Sequence, residues 1–94
     1  MMKVFVAISL VTKEEDFVEI GSYTGSMDIP HLPAIGSTIG VWWCGSFISF
    51  GVTSISMIKD SEGWIDKVGL RLERGPSVPD LSGMFSEFGF IKRN

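Results

Sequence analysis

The chain has 94 residues, of which 45% are hydrophobic and 20% charged, and carries a formal net charge of −3. That length makes a single domain near the lower end of the usual size range, and the apolar fraction excludes an intrinsically disordered composition. Mixed acidic and basic residues argue against broad binding of nucleic-acid phosphates, and one cysteine excludes a disulfide framework or a Cys-rich metal site. A reducing cytoplasm is the expected compartment.

Lys3 to Val11 reads as a first strand. Val4, Val6, Ile8 and Leu10 share one face and Phe5, Ala7, Ser9 and Val11 the other, so two largely apolar faces predict a central or barrel strand. The cation followed by an apolar run has the outline of a secretory signal, but Thr12 to Asp16 continues it with charges and no small-residue cleavage site. Those residues are expected to form a turn, and Phe17 to Tyr23 a second strand paired to the first as a hairpin. Thr24 to Gly36 is expected to be irregular, because Pro30 and Pro33 lack the amide proton of a ladder.

No Asp, Glu, Lys or Arg occurs from 29 to 58, whereas about a quarter of residues in ordinary domains are charged. The segment is therefore expected to be buried. It is not a spanning helix, since Pro30, Pro33, Gly36, Gly40, Gly45 and Gly51 interrupt it and a span needs roughly 20 predominantly apolar residues. Within it, a third strand is predicted over Thr38 to Cys44, a turn at Gly45-Ser46, and a fourth strand over Phe47 to Lys59. Ile48, Phe50 and Val52 keep period two, but the next strong apolar residues are Ile55 and Met57, out of phase. One extra residue near Thr53-Ser54, a β-bulge, restores the register, puts all five on the core side and bends the strand.

Asp60-Ser61-Glu62-Gly63 is the next predicted turn. In Trp64 to Glu73, Trp64, Val68, Leu70 and Leu72 line an apolar face interrupted only by Asp66, with Ile65, Lys67, Gly69, Arg71 and Glu73 opposite. Asp80, or Ser77 before it, is placed to cap a short helix running through Phe88. Leu81, Met84, Phe85 and Phe88 form one stripe, and Gly89 sits where a left-handed residue closes the helix so that Phe90 packs back.

Side chains with chemical potential are sparse. His31, the only histidine, lies in the proline-flanked loop with no spacing that fixes a nucleophile or an orienting acid beside it. Cys44, after two tryptophans in an apolar strand, is expected to behave as a small buried hydrophobe. Glu14, Glu15, Asp16 and Glu19 lack the alternating ligands and central glycine of a calcium loop, and the glycines form no phosphate-cradling motif. No cofactor, metal or enzymatic activity is expected.

The aromatic residues are more informative. Trp42 and Trp43 are adjacent, so in a strand one enters the core and the other points outward. The fold expected is all-β and mainly antiparallel: a small curved sheet or β-barrel of about five strands, with one short C-terminal helix, as a single barrel-like domain over 1–94. The function expected is a non-enzymatic interaction or structural module that forms a homo-oligomer, a dimer, through about residues 38–58, with another protein as a further possible partner and no membrane. The alternative is a barrel that binds a small ligand or single-stranded nucleic acid through exposed rings. Trp42, Trp43, Phe47, Trp64 and Tyr23 are the candidate interface or binding residues.

Overall fold

The computed structural model describes residues 1–12, 19–74 and 81–93. It is all-β, with strands β1 (Met2–Thr12), β2 (Glu19–Ile29), β3 (Thr38–Trp43), β4 (Ser46–Asp60), β5 (Gly63–Arg74) and β6 (Ile91–Lys92), and one helix, α1 (Ser82–Glu87). The strands form one six-stranded sheet in the order β3-β4-β5-β1-β2-β6. All neighbours are antiparallel except β1 and β5. The expected turn at 13–16, the start of the second strand at Phe17 and the proposed caps Ser77 and Asp80 lie outside the described residues.

Register follows the apolar pattern. In the parallel pair, Val6, Ile8 and Leu10 of β1 stand beside Val68, Leu70 and Leu72 of β5, all buried. On its other side β1 sets Ile8 against Tyr23 and Met2 against Ile29. A one-residue slip in either pairing would turn these side chains to the opposite face, so the buried face fixes the pairing. β2 continues to Ile29, through residues expected to be irregular, because Pro30 limits the strand only at its end.

Of the two forms expected, a small curved sheet or a β-barrel, the sheet takes the first: it does not close, and it has six strands, the last only two residues long. The curl is tight. Met27 of β2 and Ile39 and Val41 of β3 border the same small void beside Met84 and Phe88. The bend comes from the predicted bulge, a register shift in β4 between Val52 and Ser54. Val52 stands opposite Leu70 and Ile55 opposite Val68, so both face inward with Thr53 as the extra residue. Before the bulge β4 parts from β5: their pairing ends at Gly51 and Arg71, and Ser46 to Phe50 pair with β3 alone.

α1 fills the concave side. Leu81, Met84 and Phe85 are buried, and Phe85 lies at the centre of an aromatic cluster, 4.2 Å from Tyr23, 6.3 Å from Phe50 and 6.2 Å from Phe90 between ring centroids. A six-residue helix has no independent stability, so this burial is what forms it. Its end is a Schellman motif: the Phe90 amide donates to the Phe85 carbonyl at 2.8 Å and the Gly89 amide to that of Ser86 at 3.1 Å. Gly89 supplies the required positive φ of 80°. Leu81 occupies the N-cap position without a side-chain cap.

Two core expectations need correction. Met57 keeps the inward phase but is 61% exposed, because β4 and β5 run on as a two-stranded ribbon past the start of the β1–β5 ladder at Phe5 and Lys67. For the same reason Trp64 is 67% exposed and Asp66, opposite Met57, interrupts no core. The charge-free segment as a whole is likewise not buried within the chain: Ile29, Ile48, Phe50 and Val52 are, while Ile35, Trp42, Phe47 and Met57 are exposed. Phe85→Ala is expected to cost about 3–5 kcal/mol of stability, while Met57→Ala changes it by no more than about 0.5 kcal/mol. Urea denaturation midpoints of the two variants check this ranking.

Candidate interaction surface

The hairpin of β3 and β4 carries the least typical surface. Its register pairs Trp43 with Ser46 across a two-residue connection, Cys44-Gly45, in which both residues have positive φ, 48° and 80°. This is the geometry of a type I′ turn, whose twist matches that of the flanking strands. It lifts Cys44 out of the strand and leaves it exposed, correcting the expectation of a buried thiol.

From that turn the faces alternate. Trp43, Val41 and Ile39 point to the concave side, where Val41 and Ile39 stand opposite Ile48 and Phe50. Trp43 is half-buried, its ring edge-on to Phe88 at 5.9 Å between centroids. Trp42, Gly40 and Thr38 point to the convex side, opposite Phe47, Ser49 and Gly51. Trp42 is therefore the outward ring, 72% exposed, and it meets the 57% exposed Phe47 edge-on at 5.1 Å. The Phe47 ring also occupies the space a side chain at residue 40 would need, so Gly40 is what lets Phe47 lie down beside Trp42.

Of the five candidate residues, only Trp42 and Phe47 come together on the surface. Tyr23 is buried, stacked on Phe85, and so belongs to the core. Trp64 lies at the other end of β4, roughly 40 Å of extended strand away, with the Lys59 ammonium 6.0 Å from its ring centroid. Periodicity did not single out the apolar ribbon tip, where Met57 and Trp64 share one face, because the pattern does not tell where a strand outruns its core. The edge position of β3 was also missed, since strand order is not written in any local pattern.

Among the described residues the charged and titratable groups do not gather. On the convex side Arg71 pairs with Glu73 at 3.5 Å, both partly exposed, beside an open cleft of about 390 Å³ where β4 and β5 part. His31 borders a shallow cleft with Ile29, Pro30, Pro33, Thr38 and Ile39, a lining without an acid. Among the described residues no three His, Cys, Asp or Glu side chains are grouped to hold a metal ion. The void inside the curl is only about 20 Å³, against several hundred for small-molecule pockets. Among the described residues no helix is long and apolar enough to cross a membrane. Comparison with protein-family models, curated proteins and solved structures finds no match to the chain.

The turn itself is open to test. A non-glycine residue at positive φ carries a steric cost that asparagine largely avoids, and Asn-Gly is the favoured type I′ pair. Cys44→Asn is therefore expected to stabilise the protein by about 0.5–1 kcal/mol, read as a higher urea midpoint with unchanged slope.

Proposed function

We infer that the protein is a non-enzymatic interaction module that associates with copies of itself through the 38–58 region, centred on the β3–β4 hairpin. The observation that carries this reading is the exposed Trp42–Phe47 pair, set in a surface with no charged side chain of its own strands nearby. Tryptophan and its aromatic neighbours dominate the energetics of interfaces, and contiguous apolar patches on small soluble proteins usually mark them. The exposed parts of the two rings offer on the order of 250 Å² per copy, about a third of what each partner contributes to a standard interface. The remainder would have to come from β3 and neighbours such as Ile35, so the association is expected to depend on concentration.

The stacking-barrel alternative finds less support. It requires several rings along one groove, and Trp42, Trp64 and Tyr23 are respectively on the convex face, at the ribbon tip and in the core. A single exposed thiol fits a reducing compartment such as the cytoplasm, where it stays unpaired.

Sedimentation equilibrium over a concentration series tests the reading. The unaltered chain is expected to move from monomer toward dimer as concentration rises. Trp42→Glu is expected to remain monomeric with an unchanged far-UV spectrum, because it would place an unpaired charge in the excluded-solvent centre of the interface. An unaltered chain that is monomeric throughout the series would falsify the assignment.

A further inference from the structure

We propose that two copies join edge to edge, β3 pairing antiparallel with β3 of the second copy about a two-fold axis, so that the two sheets become one. This rests on the self-association inferred above and specifies how it is made.

β3 ends the sheet order and has a strand neighbour on one side only. The direction of its backbone groups follows from the start of the hairpin ladder. The Val52 amide donates to the Ser37 carbonyl at 2.9 Å and the Gly36 amide to the Val52 carbonyl at 2.9 Å, so Val52 directs both groups toward the β3 side. Period two then makes Phe50, Ile48 and Ser46 do the same, toward Ile39, Val41 and Trp43, their partners in register. Thr38, Gly40 and Trp42 consequently turn their amides and carbonyls away from β4, to the open side.

An open edge invites pairing, and proteins ordinarily guard it with charges, prolines, bulges or a covering segment. Among the described residues, the open stretches of β2 and β4 have such guards. β2 is covered by β6 at Tyr23 and Thr24, and there the Arg93 amide donates to the Ser22 carbonyl and its Nε to the Thr24 hydroxyl at 2.7 Å. The rest of β2 carries Asp28 and runs into Pro30. The far half of β4 has the bulge at one end and Lys59 and Asp60 at the other. β3, Thr38-Ile39-Gly40-Val41-Trp42-Trp43, has no charge, no proline and no register shift. All three of its outward-bonding residues are exposed.

A second copy is the occupant that fits. Two-fold antiparallel pairing sets the six residues of β3 against the same six of the second copy, and with no charge among them neither strand brings an unpaired charge to the ladder. Centring the pair on Gly40 or Val41 keeps convex residues on the convex face of both copies and brings Ile39, Val41 and Trp43 of each concave face into one continuous layer. A head-to-tail arrangement would need a second unguarded edge of the same length, and among the described residues the open stretches of β2 and β4 are guarded. The two-fold arrangement also uses up the open edge and therefore stops at a dimer.

Amide hydrogen exchange at low and high protein concentration tests the mode separately from the association. The amides of Ile39 and Val41, bonded within the hairpin, are expected to be slow at both concentrations. Those of Thr38, Gly40 and Trp42 are expected to be fast at the low one and to slow by at least about tenfold where sedimentation shows dimer. As a second measurement, the chain can be assembled by chemical ligation at the Trp43–Cys44 junction with Gly40 N-methylated, removing one outward donor and adding no side chain. That chain is expected to keep its native far-UV spectrum and remain monomeric. A dimer that forms with Thr38, Gly40 and Trp42 still exchanging fast, or that survives methylation of Gly40, overturns the ladder while leaving self-association standing. Absence of any dimer at millimolar concentration removes both.

Discussion

The structure depends on how one short helix covers one face of a long sheet. α1 has only six residues, yet the concave face presents apolar side chains from five strands. A flat sheet of this width would leave most of them in water, at a cost of about 1.5–3 kcal/mol for each large side chain left exposed. The solution is to bring the strands to the helix. Phe85 touches rings from β2 and β4 and from the residue that leads into β6, and it does so only because the sheet curls around it. The bulge at Val52–Ser54 and the parting of β4 from β5 beyond Gly51 are what permit that curl.

The same curl creates the exposed hairpin. Once β4 leaves β5, its first five residues have only β3 for company, so the hairpin hangs from the body through its concave side chains, Ile48 and Phe50 among them. Among the described residues its convex face has no second layer, and Trp42 and Phe47 stand exposed on it. Adjacent tryptophans make the consequence unavoidable: if Trp43 reaches Phe88 beneath the sheet, Trp42 must stand above it. The type I′ turn locks that parity, since a connection of another length would shift the register of Trp43 against Ser46.

Much of this was legible in the sequence, and the limits have physical causes. The alternation in Val4 to Leu10, the phase break between Val52 and Ile55, and the Gly89-Phe90 helix stop are local signals, and each has its counterpart in the structure. Tyr23 was not placed, because an amphipathic ring suits both a surface and a core, and only the stack with Phe85, distant in sequence, decides it. Met57 and Trp64 misled for a related reason: period two reports which face a residue takes, never how far the core extends along that face. Cys44 misled because its neighbours are apolar, while its conformation is set by the glycine after it.

The absence of charge from 29 to 58 is the signal whose meaning changes most. Read as burial, it fails for this chain alone, since Ile35, Trp42, Phe47 and Met57 are open to solvent. Read as edge chemistry, it acquires a second cause. If β3 meets its own copy about a two-fold axis, a lysine or glutamate on it would lie opposite an uncharged residue of the same strand in the second copy, with no opposite charge to pair with. A pairing of the proposed kind would account for an edge strand that lacks charge without being buried in the monomer. On that proposal the charges and proline on the open stretches of β2 and β4, Asp28 with Pro30 and Lys59 with Asp60, have a complementary role: among the described residues they set β3 apart as an uncharged edge.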